Sequence, residues 1–495
     1  MKFSQSSVAC LLVLLTTVVS ADDFVPTDEV LSAPGRSLSD PEFDEVNHRA
    51  TWQFGPNPQV VGTLLVADVD PDTGEILDPQ SGLSLREGGR GRILDQQLVE
   101  RTVTGNGPEW AISAAGGQIV YTRFNENNEP SIAVATFDGE NWDAGLLPFS
   151  NNRFTPKGSR FAADSQARVG YYGFVNGPNG LEVRLGTRLL ERAGSETITD
   201  VQTGGGNFLP GEAFFLTTAF SPGGLTQVHV YDPKTEAFEQ VTFDAGGKLQ
   251  SPEPWIAPDF AEKTLFTVNT NLGRSGQARV YSRPDAGDTL TWQLEAAITS
   301  PVPGKPYVKS PRPFVFEGKS YITFIVQPGP GRSTAGEIWI ADVDPDPETR
   351  FLRKVSEGGG EGDNDVRFDP ETFVTTNGPI IYYTHVIDGV PVLRRAQTGL
   401  TPTAQEAPVA SFTALPDPAR PGTNIDFDGS ASTNADGEIV SWDWDFEDDG
   451  VFSANGVQVV TSYSEAGSYT VRLRVTDDQS LSDETTMTIE VVEQP

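Results

Sequence analysis

The sequence predicts an all-β protein, with a six- or seven-bladed β-propeller followed by a small β-sandwich. Three observations support this prediction. Helical periodicity is nearly absent, while 50 Gly and 37 Pro separate short, alternating apolar runs. Similar Pro-containing openings recur at intervals of 44 to 59 residues between about residues 100 and 370. The last 88 residues alternate apolar and polar side chains, as strands with one buried face do.

The N-terminus has the composition of a secretory signal. Lys2 precedes the apolar run Val8–Val19, and Val19–Ala21 is a small-residue cleavage site. We therefore predict a signal peptide over residues 1–21. Its apolar run is too short to span a bilayer, because a membrane-spanning helix needs about 20 apolar residues. Cys10 is the single cysteine and lies within this segment. A mature chain without disulfides favours a bacterial source.

Residues 22–50 are acidic, contain Pro and show weak periodicity, so we expect a flexible leader there. Residues 51–398 carry a degenerate repeat. Its openings are anchored at Pro108, Pro156, Pro210, Pro254, Pro313 and Pro370, which lie 48, 54, 44, 59 and 57 residues apart. Such periods are typical of propeller blades, because a single blade cannot bury both of its faces alone.

Two internal echoes assign strands within the repeat. Ile119–Arg123 echoes Ile381–His385, and both are expected to be second strands of blades. Val66–Asp72 echoes Ile340–Asp346, and both are expected to be third strands that run into outer turns. The unit that opens at Gly107 resembles the blades of TolB-type propellers. Residues 60–78 are expected either to complete the last blade or to form a seventh.

Residues 399–407 form a Pro/Thr/Ala linker, and residues 408–495 form the sandwich. The motifs Asp426–Ser432, Ile439–Gly450 and Gly467–Tyr469 resemble a PKD domain, which implies an immunoglobulin-like sandwich. The resemblance also implies an extracellular spacer or adhesion module. The family's usual Asp-Phe-Gly-Asp-Gly turn is replaced here by Asp445–Gly450. Trp442, Trp444 and Phe446 share one parity and are expected to include the core aromatics.

The formal charge is −34, from 69 acidic and 35 basic residues, which excludes nucleic acid and anionic lipid as partners. The acidity has two explanations, solubility and calcium binding. Asp68–Glu75 is interpreted as a hairpin turn, with a calcium loop as the alternative. Residues 408–495 contain 17 acidic residues against 3 Arg, again a solvated surface or a calcium site. No cofactor is predicted, and calcium stays open.

No catalytic, cofactor-binding or metal-ligating residue is assigned from the sequence. His48, His229 and His385 are the three histidines, and each is expected to be structural. Gly204–Gly206 follows no buried strand and precedes no helix, so it is not a phosphate loop. Four tryptophans offer stacking surfaces for sugars, although packing between blades is the preferred interpretation. They are Trp110, Trp142, Trp255 and Trp339.

These observations favour a secreted, non-catalytic recognition scaffold. The propeller is expected to bind a protein or a glycan at a face of its central channel. The alternative is an extracellular carbohydrate-active enzyme, a glycoside hydrolase or lyase with an accessory PKD domain. A periplasmic partner of an envelope complex is a third possibility. In each case the partner is an extracellular or envelope protein or polysaccharide, and no membrane span is expected.

Overall fold

The structure is a computed structural model of the chain. The chain forms two compact units, residues 1–402 and 403–495. The structure describes residues 24–31, 38–54, 63–95, 107–113, 116–148, 150, 153–158, 168–177, 180–189, 197–198, 203–210, 215–220, 225–232, 235–244, 246–284, 292–331, 334–358, 365–403 and 405–493. The predicted signal peptide lies outside the described residues. Within them, no helix is long and apolar enough to cross a membrane.

In its described residues, the first unit contains seven antiparallel sheets, each of which is a blade. The blades are numbered in chain order, and β1 (Asp28–Val30) is a strand of blade 7. Blade 1 consists of β2 (Leu38–Asp44), β3 (Arg49–Phe54), β4 (Thr63–Val69), β5 (Ile76–Leu77) and β6 (Arg92–Ile93). Blade 2 consists of β7 (Glu109–Ser113), β8 (Gly116–Phe124), β9 (Pro130–Phe137) and β10 (Trp142–Leu146). Blade 3 consists of β11 (Arg153–Gly158), β12 (Arg168–Gly177), β13 (Gly180–Leu189) and β14 (Thr197–Ile198).

Blades 4 to 7 complete the described part of this unit. Blade 4 consists of β15 (Thr203–Phe208), β16 (Phe215–Phe220), β17 (Thr226–Tyr231) and β18 (Phe238–Gln240), and blade 5 of β19 (Lys248–Ala257), β20 (Lys263–Asn271), β21 (Gly276–Ser282) and β22 (Gln293–Ile298). Blade 6 consists of β23 (Tyr307–Phe316), β24 (Lys319–Gln327), β25 (Glu337–Asp342) and β26 (Leu352–Lys354). Blade 7 consists of β27 (Val366–Thr375), β28 (Gly378–Ile387), β29 (Val390–Gln397) and β1.

The second strands are buried on both faces because neighbouring blades pack against each side. In β24, every residue after Lys319 is buried. Ile322 and Phe324 pack toward blade 5, whereas Tyr321 and Ile325 pack toward blade 7. Burying each such side chain stabilises the fold by about 1.5–3 kcal/mol. Similar apolar clusters fill the interfaces of blades 7 and 1, 1 and 2, 2 and 3, and 4 and 5.

The blades form a closed ring. Their first strands, here called the inner strands, are β2, β7, β11, β15, β19, β23 and β27; each contacts the next, and β27 contacts β2. The outermost strand of blade 7 comes from the N-terminal region, since Asp28, Glu29 and Val30 of β1 pair with β29. Asp28 also accepts hydrogen bonds from Tyr383 and Arg394.

The structure differs from the expected flexible leader over residues 22–50. Asp28–Val30 closes blade 7, and Leu38–Asp44 is the inner strand of blade 1. The segment looks irregular in sequence because its strands are short and β2 contains a bulge. The two echoes are placed as predicted, in the second strands of blades 2 and 7 and in the third strands of blades 1 and 6. Residues 63–77 thus belong to a separate blade.

The second unit is a two-sheet sandwich. One sheet contains β30 (Thr413–Leu415), β31 (Ile425–Asp428) and β34 (Gln458–Thr461); the other contains β32 (Ile439–Asp445), β33 (Ala454–Asn455), β35 (Gly467–Asp477) and β36 (Ser482–Val491). Trp444 is fully buried, and Trp442 and Phe446 pack against the same core, as predicted. In the turn after β32, Asp445 accepts hydrogen bonds from the backbone N–H groups of Glu447 and Gly450.

Candidate functional site: the propeller channel

Six of the seven inner strands share one local feature, a bulge, and in five of these the bulge is followed by a charged side chain; β7 shows no bulge in its described residues. In blade 1, the pairing of β2 with β3 jumps from Ser39 to Glu42, which leaves Asp40 and Pro41 unpaired. Proline suits such a position because it has no N–H to donate. The same jump ends at Lys157, Gly206, Glu253, Arg312 and Glu371 in blades 3 to 7.

The residue before proline has a positive φ in four of these bulges. The values are 58° at Asp40, 52° at Ser251, 47° at Ser310 and 48° at Asp369. Side chains other than glycine rarely adopt this conformation, so the surrounding structure must hold it. The repeated bulge therefore fixes the direction of the next residue at equivalent positions around the ring.

We call these equivalent positions the channel ring. Its members, in order from blade 1 to blade 7, are Glu42, Glu109, Lys157, Asn207, Glu253, Arg312 and Glu371. Six of them follow a proline directly; in blade 4 the bulge ends at Gly206, and Asn207, the next residue, is the polar member that this blade contributes. A Cβ added to Gly206 would meet the carbonyl oxygen of Leu216 at 1.9 Å, so only glycine fits there.

Ring side chains from different blades bond to one another. Arg312 Nη1 lies 2.7 Å from Glu253 Oε1, and Arg312 Nε lies 3.1 Å from Glu371 Oε1. Asn207 Nδ2 donates to Glu253 Oε2 at 2.5 Å, and Lys157 forms an ion pair with Glu109. These bonds join blade 2 to blade 3 and connect blades 4 to 7.

The pKa shifts show that carboxylates act across the channel. Burial disfavours the charged form of Arg312, yet Glu253, Glu371, Glu42 and Glu109 outweigh burial and raise the pKa of Arg312 well above its ordinary value. The pKa of Lys157 is raised in the same way, against burial and mainly by Glu109. Both cations therefore stay charged at neutral pH.

At Asp40 the surroundings favour the neutral form, whereas at Arg312 and Lys157 they favour the charged form. Burial, followed by the charges of Asp369 and Glu109, raises the pKa of Asp40 to about 7 from its ordinary value of 3.8, although a hydrogen bond from Gln53 and the charge of Lys157 oppose the shift. Gln53 Nε2 donates to Asp40 Oδ2 at 3.0 Å. This half-buried carboxyl group therefore changes its charge near neutral pH.

A cavity of about 240 Å³ lies within the ring of blades. Its polar wall contains Asn207, Glu253, Arg312 and Glu371. Its apolar wall is formed by residues that follow the ring positions by one to three places, including Phe43, Ile112, Phe208, Trp255 and Phe314. Glu45 and the 62% exposed Val46, in the turn between β2 and β3, also line it. The cavity, here called the channel cavity, thus lies on the side of the ring where this turn is exposed.

The three histidines are placed in different blades, so they form no common site. His48 is exposed in the turn of blade 1. His229 is buried in blade 4 and stacks on Phe238, with ring centroids 4.5 Å apart. His385 is buried in blade 7, with Nε2 3.0 Å from Asp365 Oδ2. Burial lowers the pKa of both buried imidazoles, with Arg367 contributing at His385.

The four tryptophans mainly fill the spaces between strands and blades. Trp110 is fully buried between blades 1 and 2, and Trp142 packs edge-on against it at 6.0 Å between centroids. Trp339 is half-buried and donates to Glu337 at 2.9 Å. Trp255 both contributes to the core of blades 5 and 6 and lines the channel cavity. Only Trp255 of the four therefore contacts the candidate site.

The acidic loops form hydrogen-bonded turns. Asp70 accepts hydrogen bonds from the backbone N–H groups of Asp72 and Thr73, at 2.9 and 2.8 Å, and Gly74 adopts a φ of 67°. Asp445 has a similar role in the sandwich. Within the described part of the chain, no group of three or more His, Cys, Asp or Glu side chains is placed to hold a metal ion.

Sequence reasoning missed the channel ring, although a signal was present. The signal is the pattern of any residue, then Pro, then a charged residue, seen at Asp40–Glu42, Gly107–Glu109, Ser251–Glu253, Ser310–Arg312 and Asp369–Glu371. The predicted anchors Pro254 and Pro313 come two residues after the equivalent prolines, and Pro210 follows the end of β15. Aligning the repeat on the charged residue would have placed the inner strands of every blade except blade 4 in one register.

A family model described as the PKD domain matches residues 405–491. The second unit is therefore a PKD domain. A solved structure of the PKD1 domain from the Vibrio cholerae metalloprotease PrtV is 39% identical over 18% of this chain and 100% of that chain, with a TM-score of 0.16. A second solved structure, of carbohydrate-binding modules from the β-sandwich superfamily, is 34% identical over 18% of this chain, and the match covers 36% of that chain.

The first unit has the propeller fold. The β-propeller domain of the Trilobed protease from Pyrococcus furiosus, described as having an open velcro topology, is 13% identical over 76% of this chain and 97% of that chain, with a TM-score of 0.44. TolB from Acinetobacter baumannii is 14% identical over 71% of this chain and 79% of that chain, with a TM-score of 0.31. At these identities the likeness concerns the fold alone.

Proposed function

We propose that the protein is a non-catalytic recognition scaffold of the cell exterior or envelope, whose propeller binds an extracellular protein or polysaccharide at the channel cavity. The PKD domain serves as a spacer or a surface-interaction module. The observation that carries this proposal is the channel ring. A bulge recurs in six of the seven inner strands, and four polar side chains of the ring line a cavity with an apolar wall. Concave sites with a few oriented polar groups among apolar side chains are typical binding sites.

The location is part of the same proposal. The PKD domain and the TolB-like propeller favour an extracellular or periplasmic setting. The predicted signal over residues 1–21 has the matching composition. Fractionation of the source cells, with detection of the chain by an antibody, tests this part directly. Recovery of the full-length chain in the cytoplasm with residues 1–21 intact would contradict it.

The binding site is tested with a variant that fills the exposed side of the cavity. Val46→Trp adds an indole at a position that lines the cavity, and Val25→Trp is the control because Val25 is 73% exposed and does not line it. The purified chain and both variants are screened on polysaccharide and envelope-protein arrays. Val46→Trp is expected to weaken specific binding about tenfold or more, since filling a central pocket removes anchor contacts. Equal binding by both variants would place the site elsewhere.

One observation favours the alternative of a carbohydrate-active enzyme. Asp40 has a pKa raised to about 7 and lies near the carboxylates of Asp369 and Glu109, and glycosidases use such a carboxyl group as the general acid. Reducing-end and unsaturated-product assays on every polysaccharide that binds decide this alternative. If products appear and Asp40→Asn abolishes them while binding persists, the protein is an enzyme. If no product forms, the scaffold remains.

A further inference from the structure

We infer that the channel cavity receives a basic side chain, Lys or Arg, of a protein partner. This inference rests on the proposed function and names the chemistry of its ligand. It is argued from the two walls of the cavity and from the charge of its surroundings.

The polar wall has an excess of carboxylates. Glu45, Glu253 and Glu371 line the cavity, whereas Arg312 is the only cation among the described residues that line it. Arg312 is held between Glu253 and Glu371, so its charge is already directed to ring carboxylates. An entering ammonium or guanidinium group would reduce this excess of negative charge, and hydrogen bonds between charged groups are the stronger kind.

The apolar wall selects the rest of the ligand. Phe43, Phe208, Trp255 and Phe314 present rings beside the polar wall. Lys and Arg carry three or four methylene groups behind the charge and bury them readily along apolar surface. Aromatic rings also attract cations through their faces. A basic side chain matches both walls, whereas an amino sugar carries its ammonium group without such a stem.

The inner strands around the cavity extend the negative field. Blades 7, 1 and 2 contribute Asp369, Glu371, Asp40, Glu42 and Glu109. These five carboxyl groups outnumber the two ring cations, Lys157 and Arg312, which pair with Glu109 and Glu371. Burial first, and then the charges of Asp369 and Glu109, raise the pKa of Asp40. The net charge of −34 over the whole chain adds a long-range attraction for a basic partner.

The experiment uses the purified chain on an array of immobilised pentapeptides that differ only in the central residue. That residue is Lys, Arg, acetyl-lysine, norleucine or Glu, all other ionisable groups being capped. Spots with Lys and Arg are expected to retain about five to ten times more protein than those with acetyl-lysine, which keeps the stem but loses the charge. Equal retention on Lys and acetyl-lysine would overturn the inference.

Matched variants separate the cavity from the general charge of the protein. Glu253→Gln removes a carboxylate of the cavity, and Glu348→Gln removes one from an exposed turn of the same unit. Glu253→Gln is expected to lower retention on Lys spots several-fold, while Glu348→Gln leaves it unchanged. Because Glu253 also bonds to Asn207 and Arg312, Glu45→Gln in the exposed turn is a second test that leaves those bonds intact. Equal losses from Glu45→Gln and Glu348→Gln would mean that only net charge matters.

The outcomes distinguish this inference from the function on which it rests. If Val46→Trp weakens binding of a partner while the Lys and acetyl-lysine spots behave alike, the channel site stands and the basic ligand is wrong. If Val46→Trp has no effect on any ligand, the channel site itself is wrong. Retention on an amino-polysaccharide surface in preference to Lys peptides would also overturn the inference.

Discussion

The two units of this protein are both acidic, but they place their carboxylates in different environments. In the propeller, Glu42, Glu109 and Glu371 are buried at the channel ring and act on Arg312 and Lys157. In the PKD domain, most acidic side chains lie at the surface or in turns, and Asp445 accepts backbone hydrogen bonds within its own turn. The difference is visible in the pKa shifts, which are upward at Asp40 and downward at Asp445.

This comparison shows that one composition serves two purposes. Carboxylates crowded in a channel cost free energy, which the fold has to offset elsewhere. Carboxylates that accept backbone N–H groups stabilise the turns that they belong to. Net charge alone cannot distinguish the two environments, because every Asp or Glu counts as one negative charge in the total of −34 wherever it lies.

The largest expected effect comes from removing a ring cation. Arg312→Met leaves Glu253 and Glu371 without the guanidinium that joins them, and breaking a buried ion pair costs about 3–5 kcal/mol. The matched change in the PKD domain is Arg472→Met, which removes a more exposed cation from Asp448 and Glu484 and is expected to cost much less, because solvent screens exposed ion pairs. Urea unfolding, followed separately for each unit, gives both values. Equal costs would contradict the comparison.

An intermediate effect is expected from the pH dependence of Asp40. Because the folded pKa of about 7 lies above the ordinary value of 3.8, the folded protein binds this proton more tightly. The contribution of Asp40 to stability is fully present below about pH 4 and is lost as pH rises through 7. The difference between the two pKa values corresponds to about 4 kcal/mol.

Asp40→Asn removes that dependence. The variant and the parent chain are expected to have similar free energies of unfolding at pH 4, while the variant is more stable at pH 8. Urea unfolding of the propeller at a series of pH values checks this. Parallel curves for the two proteins would show that Asp40 does not titrate in the neutral range.

The smallest effect has the opposite sign. Burial disfavours the charge of Asp445, but hydrogen bonds from the backbone N–H groups of Gly450, Glu447, Asp449 and Asp448 outweigh burial and lower the pKa of Asp445 below 3.8. Its contribution is present above pH 3.8 and is lost as pH falls further. Asp445→Asn is expected to destabilise the PKD domain by about 1–2 kcal/mol at pH 7. The difference should shrink as pH falls toward 2, and a constant difference would refute the assignment.

Much of the fold follows from the sequence, because alternation and repeat spacing are local properties. The echo of Ile119–Arg123 and Ile381–His385 gave the second strands of blades 2 and 7 correctly. The alternation around Val471 and Leu473 marked the buried face of the PKD domain. These patterns survive in sequence because every blade and every sandwich face must bury its apolar side chains.

The channel ring and the closure of the propeller depend on contacts between distant residues. Nothing near Asp28 shows that it will bond with Arg394, and nothing near Glu253 shows that Arg312 lies beside it. The segment Leu38–Asp44 was assigned to a leader because a bulge interrupts its alternation. The bulge that hides the strand is the same feature that orients Glu42, so the site lies where the local pattern is weakest.

The pairing of β1 with β29 also has a consequence for the order in which the protein is made. Asp28 leaves the ribosome early, but its partner Ala396 is translated only when the whole propeller has been synthesised. Until then, blade 7 lacks its outer strand and the earlier blades stack with one open end. Sheets that pair distant segments form slowly and expose their edges meanwhile. The Asp28–Val30 segment is therefore without its partner strand during most of the synthesis of the propeller.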